Sequence, residues 1–269
     1  MLILIRGAGD LATGIACRLI RSGFSVILTD VALPTAIRCT VAFSSAVYNG
    51  EVTVEGITAR LAKDAEEALL IAREGKAAVL IDPKCRSISA LEPHVLVDAI
   101  LAKKNIGTKM NDAPVVIGVG PGFTVGVDCH AAIETQRGHD LGRVLYKGSP
   151  TPNTGVPGNI GGFTSERLIR SPADGLFSPI AAIGETVDVG QTVAFVGDLP
   201  VTAAIYGTLR GLLPAGTPVH KGMKSGDVDP RCSRDLCFSV SDKALSIGGG
   251  VLEAILNLSK LLTNNFDCK

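Results

Sequence analysis

Met1-Leu-Ile-Leu-Ile-Arg-Gly-Ala-Gly-Asp-Leu-Ala-Thr-Gly14 opens the chain and decides the prediction for its first domain. Leu2–Ile5 is a short apolar run without alternation, typical of a strand buried on both faces of a parallel sheet. Glycines at positions 7 and 9 follow at once, and apolar residues then recur at helical spacing until Gly23. The pattern predicts a strand, a tight glycine turn and a helix, followed by a second strand that finishes at Asp30.

The spacing of these residues suits a dinucleotide. Gly7 permits the sharp turn, Gly9 lets the backbone approach a pyrophosphate, and the helix N-terminus offers free N–H groups to phosphate. A carboxylate about 20 residues beyond the glycines, here Asp30, usually meets a ribose hydroxyl. The sequence therefore predicts a Rossmann-like, doubly wound parallel sheet. The alternative is that the glycines only make a tight turn and that Asp30 caps the next element.

Strands and helices are predicted to alternate as far as about residue 120, as in a doubly wound sheet. Strands are expected at 77–81 and 115–119. Asp64 is expected to cap a helix that ends at Arg73, and a further helix is expected at Pro93–Lys104. Ligands collect at the carboxyl ends of the strands in such sheets. The candidate cofactor-binding residues are therefore Gly7, Gly9, Asp10, Gly14, Asp30, Lys84, Gly120, Gly122 and Phe123.

The run from Asp128 to Arg143 is the densest group of reactive side chains in the chain. Asp128, His130 and Glu134 would form a cluster for proton transfer or for a metal if they shared one face. Because no HExxH or similar ligand motif is present, no metal site is assigned. Asp128, His130, Glu134 and His139 are the candidate catalytic residues. The alternative is that they make turns and solvated surface.

From residue 171 the chain changes to short β segments separated by glycine and proline. A pseudo-repeat with an offset of 32 residues is visible, since Gly184-x-x-Val187-x-x-Gly190 is echoed by Gly216-x-x-Val219-x-x-Gly222. Two matching halves of this kind predict a small lipoyl- or biotinyl-like β-sandwich, a barrel-sandwich hybrid. The expected hairpin tip, 197–203, has no lysine, so covalent lipoylation or biotinylation is not expected.

These patterns divide the chain into four predicted segments. Residues 1–120 are the nucleotide-binding domain, 121–170 a connecting segment with the Asp/His/Glu cluster, 171–229 the β module, and 230–269 a C-terminal segment. In the last segment, Ser246-Ile-Gly-Gly-Gly250 is predicted to be a glycine-rich turn before a helix that packs back on the first domain. The apolar side of this helix is expected to carry Val251, Leu252, Ile255, Leu258 and Leu262. That turn is either an anion nest or a flexible entry to the helix.

The composition limits the classes of function. The 269 residues include 26 basic and 26 acidic ones, so the net charge is zero and no general attraction to nucleic acid or membrane is expected. No apolar run reaches the roughly 18 residues needed to span a bilayer, and no signal sequence is recognised. Seven cysteines without a CxxC favour free thiols in a reducing cytoplasm. Cys129, Cys232 and Cys237 have no assigned role, and a homo-oligomer is an open alternative.

Several longer motifs are spread over nearly the whole chain. They are Arg6-Gly-Ala-Gly-Asp-Leu-Ala-Thr-Gly14, Glu51-Val-Thr-Val-Glu-Gly56, Gly122-Phe-Thr124, Glu134-Thr-Gln-Arg-Gly-His-Asp-Leu-Gly-Arg143, Gly226-Asp-Val-Asp-Pro-Arg231 and Ile247-Gly-Gly-Gly-Val-Leu-Glu-Ala-Ile255. Together they resemble the YqeB family, which is assigned to the selenium-dependent molybdenum hydroxylase system. The first domain is also similar, more distantly, to XdhC-type maturation factors, which assist insertion or chalcogen loading of the molybdopterin cofactor.

The resemblance implies an accessory or maturation role for a selenium-dependent molybdenum hydroxylase of the xanthine or purine dehydrogenase type. The hydroxylase or its maturation machinery would be the partner, and a nucleotide-like ligand would bind at the glycine turn. Candidate cofactors are NAD(P), FAD and a molybdopterin dinucleotide. Two alternatives stay open: an NAD(P)-dependent oxidoreductase that uses His130 or His139 as proton carrier, and a non-catalytic docking scaffold.

Overall fold

The computed structural model describes residues 1–259, which form two compact units. Unit 1 consists of Met1–Ala32, Phe43–Asn153 and the chain from Val240, and unit 2 consists of Leu33–Ala42 and Thr154–Ser239. The segments predicted from the sequence, with bounds at 120, 170 and 229, cut across both units. The chain leaves unit 1 and returns to it twice, which no local signal in the sequence marks.

Unit 1 is built on a nine-stranded sheet with the order β3-β4-β5-β2-β1-β6-β7-β8-β9. Neighbouring strands are parallel from β4 to β8 in this spatial order. At the two edges, β3 pairs antiparallel with β4 and β9 pairs antiparallel with β8. Its strands are β1 (Leu2–Arg6), β2 (Ser25–Asp30), β3 (Glu51–Val54), β4 (Ile57–Ala62), β5 (Ala77–Ile81), β6 (Val95–Asp98), β7 (Val115–Val119), β8 (Ala131–Ile133) and β9 (Val144–Leu145). Its helices are α1 (Asp10–Arg21), α2 (Ala46–Asn49), α3 (Ala65–Arg73), α4 (Ile88–Leu91) and α5 (Asp242–Leu258).

The expected Rossmann-like, doubly wound parallel sheet is wrong. The sheet is mixed, because hairpin β3–β4 and hairpin β8–β9 add an antiparallel strand at each edge. The helix expected at Pro93–Lys104 is instead strand β6 and a loop, and the described chain between β6 and β8 contains no helix. Residues 95–97 are fully buried between β1 and β7, so their central place in the sheet outweighs the helical spacing.

Helix α5 packs closely on α1. A Cβ built on Gly14 would lie 2.6 Å from Ala244 Cβ, and one built on Gly248 would lie 3.2 Å from Gly14 O and 3.3 Å from Arg18 Cβ. Gly14 of α1 lies against Ala244 of α5, and Arg18, one turn later, lies against Gly248. The two helices therefore run roughly parallel. The turn expected at Ser246–Gly250 is therefore wrong: these residues are the middle of α5, where glycine lets two helix backbones approach. Leu262, expected on this helix, lies outside the described residues.

Unit 2 consists of two four-stranded antiparallel sheets, with the orders β10-β17-β15-β12 and β14-β13-β11-β16. Between them lies an apolar core that includes Phe177, Val193, Leu209 and Val228. The strands are β10 (Leu168–Arg170), β11 (Gly175–Pro179), β12 (Thr186–Val187), β13 (Thr192–Val196), β14 (Leu199–Thr202), β15 (Gly207–Leu212), β16 (Pro218–Val219) and β17 (Lys224–Asp229).

The expected lipoyl- or biotinyl-like sandwich at 171–229 is corrected to this pair of sheets. Strand β10 and residues 33–42 belong to the unit although they lie outside the predicted bounds, and Leu212 N donates a hydrogen bond to Ile37 O. The 32-residue repeat itself is confirmed. Strands β11 and β15 begin 32 residues apart, and so do β12 and β16 and also β13 and β17. Residues 197–203 are the β13–β14 turn and the strand after it, and contain no lysine.

Among residues 1–259, no helix is both long enough and apolar enough to cross a membrane.

We expect Gly14→Ala to destabilise the protein and Gly249→Ala to leave it equally or more stable. Both changes gain up to about 1 kcal/mol of helix propensity, since alanine favours a helix over glycine. At Gly14 the new methyl group meets Ala244, and overpacking of this kind costs about 1–3 kcal/mol. At Gly249 nothing lies within 4 Å of the new Cβ. Free energies of unfolding in urea measure the difference, and equal effects of the two substitutions would contradict the close helix contact.

Candidate functional site

The glycine turn lies at the carboxyl edge of the parallel strands, between β1 and α1. Gly7 has a φ of +96°, and a Cβ there would lie 2.9 Å from Ala99 O, so a larger residue is strained and crowded. Gly9 has an extended backbone, with φ −67° and ψ −179°, and nothing lies within 4 Å of a Cβ built on it. The turn is therefore packed at Gly7 and open at Gly9.

The N-terminus of α1 is bare. Gly9 is its N-cap residue, so no side chain caps the helix. The first hydrogen bond of the helix is from Thr13 N to Gly9 O, at 2.8 Å. Within residues 1–259, the N–H groups of Leu11 and Ala12 have no acceptor. These donors and the positive end of the helix dipole suit an anion.

Asp30 closes the turn from the side of β2. Its Oδ2 accepts a hydrogen bond from Ala8 N at 2.9 Å, and its Oδ1 accepts one from Val31 N at 2.7 Å. Burial raises the pKa of the Asp30 carboxyl, and these two hydrogen bonds act in the opposite direction. A carboxylate has about four acceptor sites, so Asp30 can hold the turn and still accept from a ligand hydroxyl.

Tyr48 on α2 is a residue of this site that the sequence analysis missed. Burial raises the pKa of the Tyr48 phenol, and the nearby Asp30 carboxylate raises it further. The side chain is exposed. No motif marks Tyr48, because it follows a stretch of short helical turns that leads back from unit 2.

Lys243 also belongs to this edge and was missed. It lies in the first turn of α5, where the Ser241 hydroxyl caps the helix by accepting from Ala244 N at 3.2 Å. Lys243 is half-buried. Burial lowers the pKa of its ammonium group, and the nearby Arg137 lowers it further. The carboxylates that act in the other direction are those of Asp10, Glu134 and Asp242. No sequence signal could link Lys243 to a turn more than 230 residues earlier.

The structure does not bring Asp128, His130 and Glu134 together. His130 precedes β8 and Glu134 follows it, so about 13 Å of strand separates their backbones. The three residues between them are a fully buried strand rather than a helix face. The side chains therefore lie apart, and a catalytic role for each of them stays a prediction.

Two of these residues have structural partners at the amino side of β8. His130 Nδ1 accepts a hydrogen bond from Val116 N at 3.0 Å, at the start of β7. Asp128 accepts from Thr124 N at 2.8 Å and from Asn105 Nδ2 at 2.9 Å, which ties two loops together.

Glu134 anchors the loop after β8. The side chain is buried, its Oε1 accepts from Thr135 N and Gln136 N, and its Oε2 accepts from Thr151 N, each at 2.7 Å. Although burial acts to raise the pKa of Glu134, these N–H groups hold it below its ordinary value. His139 lies exposed in the same loop.

Besides Gly7, four of the predicted cofactor-binding residues pack against neighbouring chain instead of opening toward a ligand. Phe123 is buried against Gly118, where a Cβ would collide with its ring. Gly122 leaves room for the Lys104 backbone, and Gly120 lies beside Thr135, with 2.9 Å from a built Cβ to Oγ1. Gly14 lies under α5. Lys84, in contrast, is exposed after β5.

We expect Glu134→Gln to destabilise the protein at neutral pH by about 1–3 kcal/mol, because an amide cannot replace a carboxylate that accepts three N–H groups. A carboxyl whose folded pKa is lowered stabilises the fold above its ordinary value of 4.5, and this contribution is lost as the pH falls through the folded pKa. The gap between the variant and the wild type should therefore close below about pH 4.5.

Glu253→Gln, at an exposed position on α5, is the matched control and should have little effect at any pH. The measurement is the free energy of unfolding in urea as a function of pH. A gap that stays constant down to acid pH would contradict the anchoring role of the Glu134 carboxylate.

Comparison with known proteins shows one extensive sequence relationship. The chain is 52% identical over 257 residues to the uncharacterized protein YqeB of Escherichia coli K12, an alignment that covers 96% of this chain and 48% of that protein. The chain thus spans about half the length of this curated relative. No family model matches the present chain.

Solved structures give only weak likenesses. An aspartoacylase family protein from Mesorhizobium loti matches over 84% of each chain with 13% identity and a TM-score of 0.28. The product-bound ectoine utilization protein from Ruegeria pomeroyi matches over 84% of each chain with 12% identity and a TM-score of 0.26. At these TM-scores the likenesses assign neither a fold nor an activity to this chain.

The mixed sheet corrects the description of the first domain as Rossmann-type. The sequence relative is named only as uncharacterized, so a role in the maturation of a molybdenum hydroxylase stays a prediction. The comparisons show that this chain resembles YqeB over about half of the length of that protein.

Proposed function

We propose that unit 1 binds a nucleotide, with a phosphate at the N-terminus of α1 and the ribose beside Asp30. The observation that carries this proposal is the open approach to Gly9, which lies between a helix N-terminus without a side-chain cap and a carboxylate with acceptor sites to spare. The phosphate would accept hydrogen bonds from Leu11 N and Ala12 N.

The turn is preorganised for this purpose. Gly7 and the hydrogen bond from Ala8 N to Asp30 fix its backbone, so a ligand would meet donors already in place. A fixed site of this kind loses little conformational entropy on binding. The adjacent Tyr48 would lie on the ribose side of the ligand, next to Asp30.

An NAD(P)-dependent oxidoreductase with His130 as proton carrier is the weaker hypothesis. The His130 ring is hydrogen-bonded at the start of β7, whereas the glycine turn is at the opposite, carboxyl edge of the same sheet. The proposal is accordingly one of binding. The link of the YqeB family to selenium-dependent molybdenum hydroxylases, and a cytoplasmic location, stay predictions from the sequence on which the proposal does not depend.

The test is ligand binding by the wild type and by two variants at Gly9. Gly9→Asp fills the open space and adds a negative charge, while Gly9→Asn has the same size without the charge. Both residues are good N-caps, so α1 should form at least as well as in the wild type. Gly249→Ala, a change into open space elsewhere in α5, is the control.

We expect ADP, CDP, NAD, NADP or FAD to raise the melting temperature of the wild type. Saturation at 100 times the dissociation constant adds about 2.7 kcal/mol, or several degrees. Gly9→Asp should abolish the shift, Gly9→Asn should weaken it, and Gly249→Ala should retain it. No shift with any of the five ligands, or an undiminished shift in Gly9→Asp, would refute binding at the turn.

A further inference from the structure

The cations around the glycine turn differ in whether their charge is already matched. Arg6, directly before the turn, is buried and forms an ion pair with Asp98 at 3.2 Å. Arg137 forms two hydrogen bonds with Asp242, at 2.7 and 3.0 Å. Both guanidinium groups are thus committed to carboxylates of the protein.

Lys243 differs from these arginines. Within the described part of the chain its ammonium group makes no hydrogen bond and no ion pair. Two of the carboxylates that act on it, those of Glu134 and Asp242, are held by other donors. A half-buried ammonium group without a contact partner is unfavourable, because burial removes water that nothing replaces.

The position of Lys243 follows from the helix packing. Ala244, the next residue, lies against Gly14, so the first turn of α5 lies beside the second turn of α1. Asp10, the first residue of α1, is close enough to act on the lysine charge. Two helix N-termini and one ammonium group are therefore gathered at the edge of the sheet where Gly9 is open.

We propose that Lys243 is the cation that recognises a second phosphate of the bound nucleotide. This inference rests on the proposed nucleotide binding and extends it: the ligand is a nucleoside di- or polyphosphate, or a dinucleotide with a pyrophosphate, rather than a nucleoside. The α1 N-terminus would take one phosphate by its N–H groups, and Lys243 would match the remaining charge. A phosphate next to Lys243 also supplies a direct contact partner, which none of the described carboxylates near it provides.

The probe is ADP, with adenosine as the same nucleoside without phosphates; CDP and cytidine form a second pair. Calorimetric titrations use the wild type, Lys243→Met, Lys243→Arg and Lys76→Met. Methionine keeps the length of the side chain and removes its charge, and arginine restores a charge. Lys76 is a half-buried lysine just before β5, at the opposite edge of the sheet, and its ammonium group pairs with Glu74 at 2.9 Å. It is the matched control.

We expect Lys243→Met to weaken diphosphate binding about tenfold or more, as for the loss of one charge-assisted contact. Nucleoside binding should not change, and the decrease of diphosphate affinity with rising KCl should become shallower. Lys243→Arg should recover most of the affinity, and Lys76→Met should match the wild type. A merely structural role for Lys243 would instead weaken nucleoside and diphosphate equally and leave the salt dependence as it was.

The outcomes separate the two proposals. If the wild type binds ADP or CDP, Gly9→Asp abolishes binding and Lys243→Met binds like the wild type, nucleotide binding stands and the role of Lys243 is refuted. If the wild type binds none of ADP, CDP, NAD, NADP and FAD, both proposals fail. Equal weakening of the nucleoside and its diphosphate by Lys243→Met also refutes the phosphate contact.

Discussion

The close approach of helices α1 and α5 is the contact on which unit 1 depends. Gly14 and Gly248 bring the two backbones together, and the side chains beside them, such as Ile15 and Ile247, are completely buried. Since interiors are densely packed, no side chain can be added at this seam without moving a helix. The same contact defines the candidate site, because it sets the first turn of α5 next to the glycine turn. Stability and site geometry therefore share one structural cause.

The glycines of the site serve different physical purposes, although a sequence motif treats them alike. Gly7, Gly120 and Gly122 have positive φ angles and lie against neighbouring chain. Gly14 lies in a regular helix and leaves room for another helix. Gly9 has an ordinary backbone conformation and no neighbour, so the absence of a side chain there has no packing explanation. Gly9 is therefore the glycine of the turn that leaves room for a ligand.

Local patterns predicted local structure well. Strand β1, helix α1, a strand that ends at Asp30 and the Asp64 cap of α3 are all observed, and Asp64 Oδ1 accepts from Glu67 N at 2.9 Å. Predictions failed where distant chain decides the structure: β6 is a strand because β1 and β7 enclose it, and the glycines of α5 stay helical because α1 covers them. Asp30 could be predicted because it follows the glycine turn at a characteristic spacing. Lys243 and Tyr48 could not be predicted, because only the packing of distant chain brings them to the site.

The division of unit 1 along the chain has a consequence for biosynthesis. All nine strands of its sheet lie before residue 154, but the helix that covers Gly14 starts at Asp242, after the whole of unit 2. A ribosome adds about 5–20 residues per second, so for several seconds the nascent sheet exposes apolar side chains of α1 that have no partner. Unit 2 can be made completely in that interval. A nascent chain at this stage is therefore a natural client for a chaperone, and the candidate site is completed only after unit 2 has been synthesised.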